Sequence, residues 1–222
     1  MPKDIPPLSS LPLGQDDPPY SAWGLYGKDD QLGTLNRLTD EVERKFFNGV
    51  TMDDIHGEDK ANVNGIQAYD AFSTGSITLE QLKAVANAQG TEIRFGDILM
   101  IRSGYINAFN DLPNAKAEVF ASEIPPKLSG IEQSDEILEW LWSNFSAAAG
   151  DQPSFECWPT QREWHLHEIL LSGWSMPIGE LFDLEKLSEH CKKVNRWSFF
   201  TSSEVCNVPG GVASPPNILA IF

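Results

Sequence analysis

The residues of this chain best suited to chemistry lie in Trp164-His165-Leu166-His167-Glu168-Ile169-Leu170-Leu171-Ser172-Gly173-Trp174 and in Met176-Pro177-Ile178-Gly179-Glu180 just after it. Read together, they place His167 on an apolar helix and Glu180 past a short apolar strand, joined by a glycine-containing turn. A neutral imidazole beside a carboxylate can hold a divalent metal or move a proton. The whole chain has four histidines, so His165 and His167 in one helical turn narrow the search. A surface helix with a hydrogen-bonded imidazole would give the same pattern, and the motif alone does not separate the two.

Other candidate constellations are thinner. Asp53, Asp54, Glu58 and Asp59 surround His56, but their spacing matches no ligand set and reads as an acidic loop. Arg102 ends an apolar run, where it could anchor a substrate carboxylate or pair with an internal acid. Gly210-Gly211 sits in a proline-flanked turn rather than between a strand and a helix, which does not suit phosphate binding. The seven tryptophans are scattered, as core and rim packing would have them.

The elements that must position these residues are partly legible. The first 22 residues hold Pro2, Pro6, Pro7, Pro12, Pro18 and Pro19, a spacing that forbids a helix and predicts an extended arm, either lying on the domain or free in solvent. Residues 23–222 read as a single domain. A short helix is expected over Asp40–Phe47, followed by an Asn48-Gly49 turn, and residues 56–76 read as loop. Thr78 and Gln81 make a capping box for a helix whose inner face is Leu79, Leu82, Val85 and Ala86 and which Gly90 ends. Glu92–Phe95 and Ile98–Arg102 read as two strands around a Gly96-Asp97 turn. Ser134 should cap a helix from Asp135 to about Phe145, with Ile137, Leu138, Leu141 and Phe145 inward. Ala147–Ala149 could be a closely packed strand or the tail of that helix. Strands are expected at Ile178–Leu181 and Ser198–Val208, a helix at Leu184–Lys192, and a buried apolar ending at Asn217–Phe222. Helices alternate with strands, which gives an α/β class or a mixed barrel-like fold.

Composition bounds the function. Asp and Glu number 32 against 16 Lys and Arg, a net charge of −16, which argues against nucleic acid or anionic membranes as partners. A 41% apolar content supports a sizeable core in a chain of 222 residues. Three dispersed cysteines without a C-x-x-C pair suit a reducing compartment. No secretory leader or spanning segment is read, so the expectation is a soluble, cytoplasmic protein.

Longer blocks carry a family resemblance. They are Trp23-Gly24-Leu25-Tyr26-Gly27-Lys28-Asp29-Asp30-Gln31-Leu32-Gly33-Thr34-Leu35-Asn36, Phe47-Asn48-Gly49-Val50-Thr51, and Gly96-Asp97-Ile98-Leu99-Met100-Ile101-Arg102-Ser103-Gly104. Leu166-His167-Glu168-Ile169-Leu170-Leu171 with Pro177-Ile178-Gly179-Glu180 follows, then Asn207-Val208-Pro209-Gly210-Gly211-Val212-Ala213-Ser214-Pro215-Pro216-Asn217. In these blocks the chain resembles the metal-dependent cyclase family that includes kynurenine formamidase. The resemblance implies an α/β fold, a mixed β-barrel-like sheet flanked by helices, incomplete at one edge. It implies hydrolysis of an amide-type or lactone-type bond, arylformamidase-like, of the sort used in tryptophan and kynurenine catabolism. It also implies a divalent metal, zinc or manganese, with His167 and Glu180 as metal ligands and catalytic groups.

The family's His-x-Gly-Thr-His-x-Asp motif and its Trp-Asp-Gly-x-x-His variant do not occur here. The passage from Leu38-Thr39 to Phe47-Asn48 is contracted, and a second contraction falls near Gln67-Ala68. Such gaps would leave strand edges and apolar faces uncovered, so a homo-oligomer is expected. The alternative to an active enzyme is a catalytically dead or truncated remnant that only associates with partners.

Overall fold

The computed structural model describes residues 5–38, 50–51, 71–88, 90–196, 199–206, 208–215 and 217–222. The expected Asp40–Phe47 helix, the Asn48-Gly49 turn, the acidic loop around His56 and both contractions lie outside these residues, apart from the backbone of Val50 and Thr51.

In chain order the strands and helices are β1 (Val50–Thr51), β2 (Gly75–Ile77), α1 (Leu79–Ala88), β3 (Asp97–Arg102), α2 (Tyr105–Asn110) and α3 (Asn114–Ser122). They continue with β4 (Ser129–Ile131), α4 (Asp135–Asn144), β5 (Phe145–Gly150), a π-helix over Glu168–Gly173, β6 (Ile178–Gly179), α5 (Leu184–Val194), β7 (Phe200–Ser203) and β8 (Ile218–Ile221). The main sheet is parallel in the order β1-β3-β5-β6, with Leu99 opposite Ala148 and Ala149 opposite Gly179. Strands β2 and β4 form a parallel pair, and β7 and β8 an antiparallel ribbon. The fold is α/β. Among the described residues the strands close no barrel, so the barrel-like sheet expected from the sequence is here an open four-stranded one with two small satellites.

Local chemistry explains most elements. The capping box forms, with Thr78 N–H donating to Gln81 Oε1 at 2.8 Å and Gln81 N–H to Thr78 Oγ1 at 3.2 Å. Gly90, at φ +65°, ends α1. Ser134 Oγ accepts from Ile137 N–H at 3.2 Å and starts α4. That helix stops one residue early because Phe145 turns to extended backbone and opens β5. The Ala147–Ala149 stretch is a strand, buried throughout between β3 and β6, which is why small side chains fill it. Glu92–Phe95 forms no strand, whereas Gly75–Ile77 does by pairing with β4; neither follows from local pattern.

The arm lies on the domain. Leu8 is buried, Trp142 Nε1–H donates to the Pro6 carbonyl at 2.8 Å, and Trp174 Nε1–H donates to the Tyr20 carbonyl at 2.8 Å. Arg37 is buried as well, its Nη1 bonded to the Trp142 and Phe145 carbonyls at 2.6 and 2.8 Å. Its guanidinium lies 4.3 Å from the Trp142 ring centroid. The expected burial of the apolar ending is corrected: Leu219, Ala220 and Ile221 are exposed, and for Leu219 and Ile221 the reason is that the ribbon has only two strands and the face they share is open. No helix among the described residues is long and apolar enough to cross a membrane.

Candidate functional site

The site sits beyond the carboxyl ends of β5 and β6, where crevices open in parallel sheets. Strand β6 is only two residues long, and Glu180 follows it directly. The longer strand expected through Leu181 does not form, since Leu181 takes φ +56° and turns the chain away. His167 stands in the first turn of the helix that continues as the π-helix, anchored by buried Leu166, Ile169 and Leu170. The helix is wider than expected: Trp174 N–H reaches back to the Ile169 carbonyl, as single-turn π segments do.

Both sequence-predicted residues meet. His167 Nε2 lies 3.2 Å from Glu180 Oε1, and Glu180 Oε1 also accepts from Phe155 N–H at 2.6 Å. The third member, Glu156, is one that sequence reasoning missed. Its Oε1 lies 2.7 Å from His167 Nδ1 and accepts from the His167 backbone N–H at 3.0 Å. Its Oε2 accepts from Leu166 N–H at 2.7 Å and Gln133 Nε2–H at 2.8 Å. The imidazole is thus held between two carboxylates, one on each nitrogen. A signal for Glu156 exists in hindsight, since it is a lone charge inside the run Pro153-Ser154-Phe155-Glu156-Cys157-Trp158-Pro159.

Electrostatics follow from this arrangement. The hydrogen bonds to Glu156 and then Glu180 outweigh burial and raise the His167 imidazole from its ordinary 6.5 to about 9. Burial of Glu156 acts to raise its pKa, but the bonds from His167, Gln133 and two backbone N–H groups win and hold it below the usual 4.5. Anion placement at the start of the helix adds to the same effect.

The remaining candidates fall elsewhere. His165 stacks on Trp158, 5.6 Å between ring centroids, and its Nδ1 lies 3.3 Å from Glu168 Oε1. Arg102 binds the internal acid Glu185 at 2.8 Å, which decides between its two sequence readings. Gly210, at φ +77°, shapes a turn closed by Gly211 N–H on the Val208 carbonyl.

As donors for zinc or manganese, His167 Nε2 and Glu180 are of the right chemistry, and a carboxylate on Nδ1 is the usual outer partner of a metal-bound imidazole. They fit as two members of a ligand set. Among the described residues no three His, Cys, Asp or Glu side chains are placed to hold a metal together, since Glu156 and Glu180 face opposite edges of the ring.

No protein-family model matches the chain, and no curated protein matches it in sequence. Among solved structures it is similar to the crystal structure of a novel cyclase, with a TM-score of 0.59 and 26% identity, over 86% of this chain and 57% of that one. The chain therefore has a cyclase-family structural neighbour along most of its own length, and spans little more than half the length of that cyclase.

Proposed function

We propose that the chain is a cyclase-type, metal-assisted hydrolase of an amide-type or lactone-type bond in a small molecule, arylformamidase-like, with His167 and Glu180 as its working pair. The observation that carries this reading is the imidazole gripped between Glu156 and Glu180 at the carboxyl end of a parallel sheet. A bound zinc or manganese would polarise the carbonyl and lower the pKa of water. The chain's own residues would do the rest. Glu180 and His167 Nε2 would supply a carboxylate and an imidazole ligand, with the ring proton of His167 kept on Nδ1 against Glu156. The likeness to a cyclase supports the same reading.

A second reading, a non-catalytic remnant that only associates with partners, draws on a specific observation: among the described residues two ligand-type side chains meet, whereas a tight site usually takes three plus water. Metal analysis and a hydrolysis assay on aryl formamides and aryl lactones separate the two. Zinc or manganese retained through dialysis against a weak chelator, with turnover, supports the hydrolase. Weak or absent retention without turnover at saturating metal supports the remnant.

A further inference from the structure

We propose that Glu156 is the positioning residue of this site, fixing the His167 ring so that Nδ1–H points inward and Nε2 is the nitrogen offered to Glu180. The inference rests on the reading of His167 as the working group. An ionised carboxylate only accepts, and has room for about four donors. Glu156 has four: Leu166 N–H, His167 N–H, Gln133 Nε2–H and His167 Nδ1–H. One oxygen, Oε1, takes both the backbone N–H and the ring nitrogen of His167, so both side-chain torsions of that residue are set by one atom.

The backbone beneath the carboxylate is fixed as well. Ile131 N–H donates to the Phe155 carbonyl at 2.8 Å and Cys157 N–H to the Ile131 carbonyl at 2.9 Å, pinning Glu156 against β4. Gly130 lies so close that a Cβ there would be 2.3 Å from the Glu156 carbonyl carbon. Gln133 ties the following loop down: its Nε2 also donates to the Cys157 carbonyl at 3.0 Å, its Oε1 accepts from Gln161 N–H at 3.1 Å, and its carbonyl accepts from Arg162 Nε–H at 3.0 Å.

The other side of the ring is built differently. The Glu180 side chain is 30% exposed and its contact with Nε2 is 3.2 Å, against 2% and 2.7 Å for Glu156. A helix cap would account for the bonds from Leu166 and His167 backbone groups. It would not call for the same oxygen on Nδ1, nor for Gln133 on the other oxygen.

The test uses the full chain labelled with ¹⁵N-histidine, the His167 ring assigned through His167→Gln, and long-range proton–nitrogen correlation with the ring neutral. The expected spectrum has the proton on Nδ1, exchanging slowly with water. In Glu156→Gln that proton should exchange at least about tenfold faster while unfolding stays cooperative, and any kcat should fall by about 10- to 100-fold with KM little changed. Gln133→Met, which leaves the cap intact, should accelerate exchange in the same direction by less. A neutral ring protonated on Nε2, or exchange unchanged in both variants, overturns the proposal. Should Glu156→Gln not fold, the wild-type spectrum and Gln133→Met still decide. A protein without hydrolytic activity but with the Nδ1 signature would sink the hydrolase reading and leave the positioning role standing.

Discussion

Around His167 a glutamate is inside and nearly dry, whereas on the β7–β8 ribbon a leucine, an isoleucine and a phenylalanine stand in water. The Glu156 side chain is 2% exposed, while Phe200, Leu219 and Ile221 are 52%, 62% and 50% exposed. Residue type alone would order them the other way. The difference lies in what each region can offer. The loop after β5 carries its carboxylate to four donors, three at the start of the His167 helix and one on Gln133, so burial of the charge is compensated. The ribbon has two strands, and its inner face, with Phe199 and Ile218, packs over Met100, Phe182 and Leu184 around a cavity of about 200 Å³. Its outer face is left bare. Polar saturation, more than hydrophobicity, organises the site, and layer count decides where apolar residues end up.

The comparison is easiest to break through stability. Trp142 is buried at the meeting point of Arg37, Trp174 and the arm. Trp142→Ala should therefore cost about 3–5 kcal/mol in denaturant unfolding. Leu219→Ser on the open face should stay within about 0.5 kcal/mol of wild type. Equal losses at the two positions would mean that the ribbon is covered after all.

Activity comes next in size. His167→Ala and Glu180→Gln should each lower any hydrolysis by about tenfold or more. His190→Ala should be close to neutral, because its ring rests on Phe222 in the other region. A fully active His167→Ala protein would remove the site assignment whatever the likeness to cyclases.

Stability against pH sharpens the same contrast. His167 binds its proton more tightly folded than unfolded, so its contribution is complete below pH 6.5 and is lost as pH rises through about 9. Glu156 is held below 4.5, so its contribution is present above pH 4.5 and is lost on acidification through its lower folded value. Wild type should lose stability between pH 6.5 and 9, and His167→Gln should show a flatter limb there, read from unfolding midpoints. Matching limbs in the two proteins would say that the ring is not clamped.

The smallest effect concerns association. The bare ribbon face should make the protein associate weakly with itself, and Leu219→Lys should move sedimentation toward monomer without changing the unfolding midpoint. A clean monomer at all concentrations, unchanged by Leu219→Lys, would show that the open face is simply tolerated.

By itself the sequence determined the parts with short-range causes. Thr78 with Gln81, Ser134 and Gly90 bound their helices because caps and left-handed backbone act within a few residues. The helix of His167 and the strand before Glu180 were legible from spacing and from the cyclase-like blocks, and the two side chains do meet. Tertiary structure alone decided the rest. Strand β2 exists only because β4 is there to pair with it, and a three-residue strand has no pattern of its own. Glu156 joins His167, 11 positions further along the chain, because a parallel contact with Ile131 holds the loop between them against another strand. The choice of Glu185 for Arg102, across 83 positions of chain, is of the same kind. Short-range rules operate along the chain, but a donor supplied from another layer is invisible until the layers have packed.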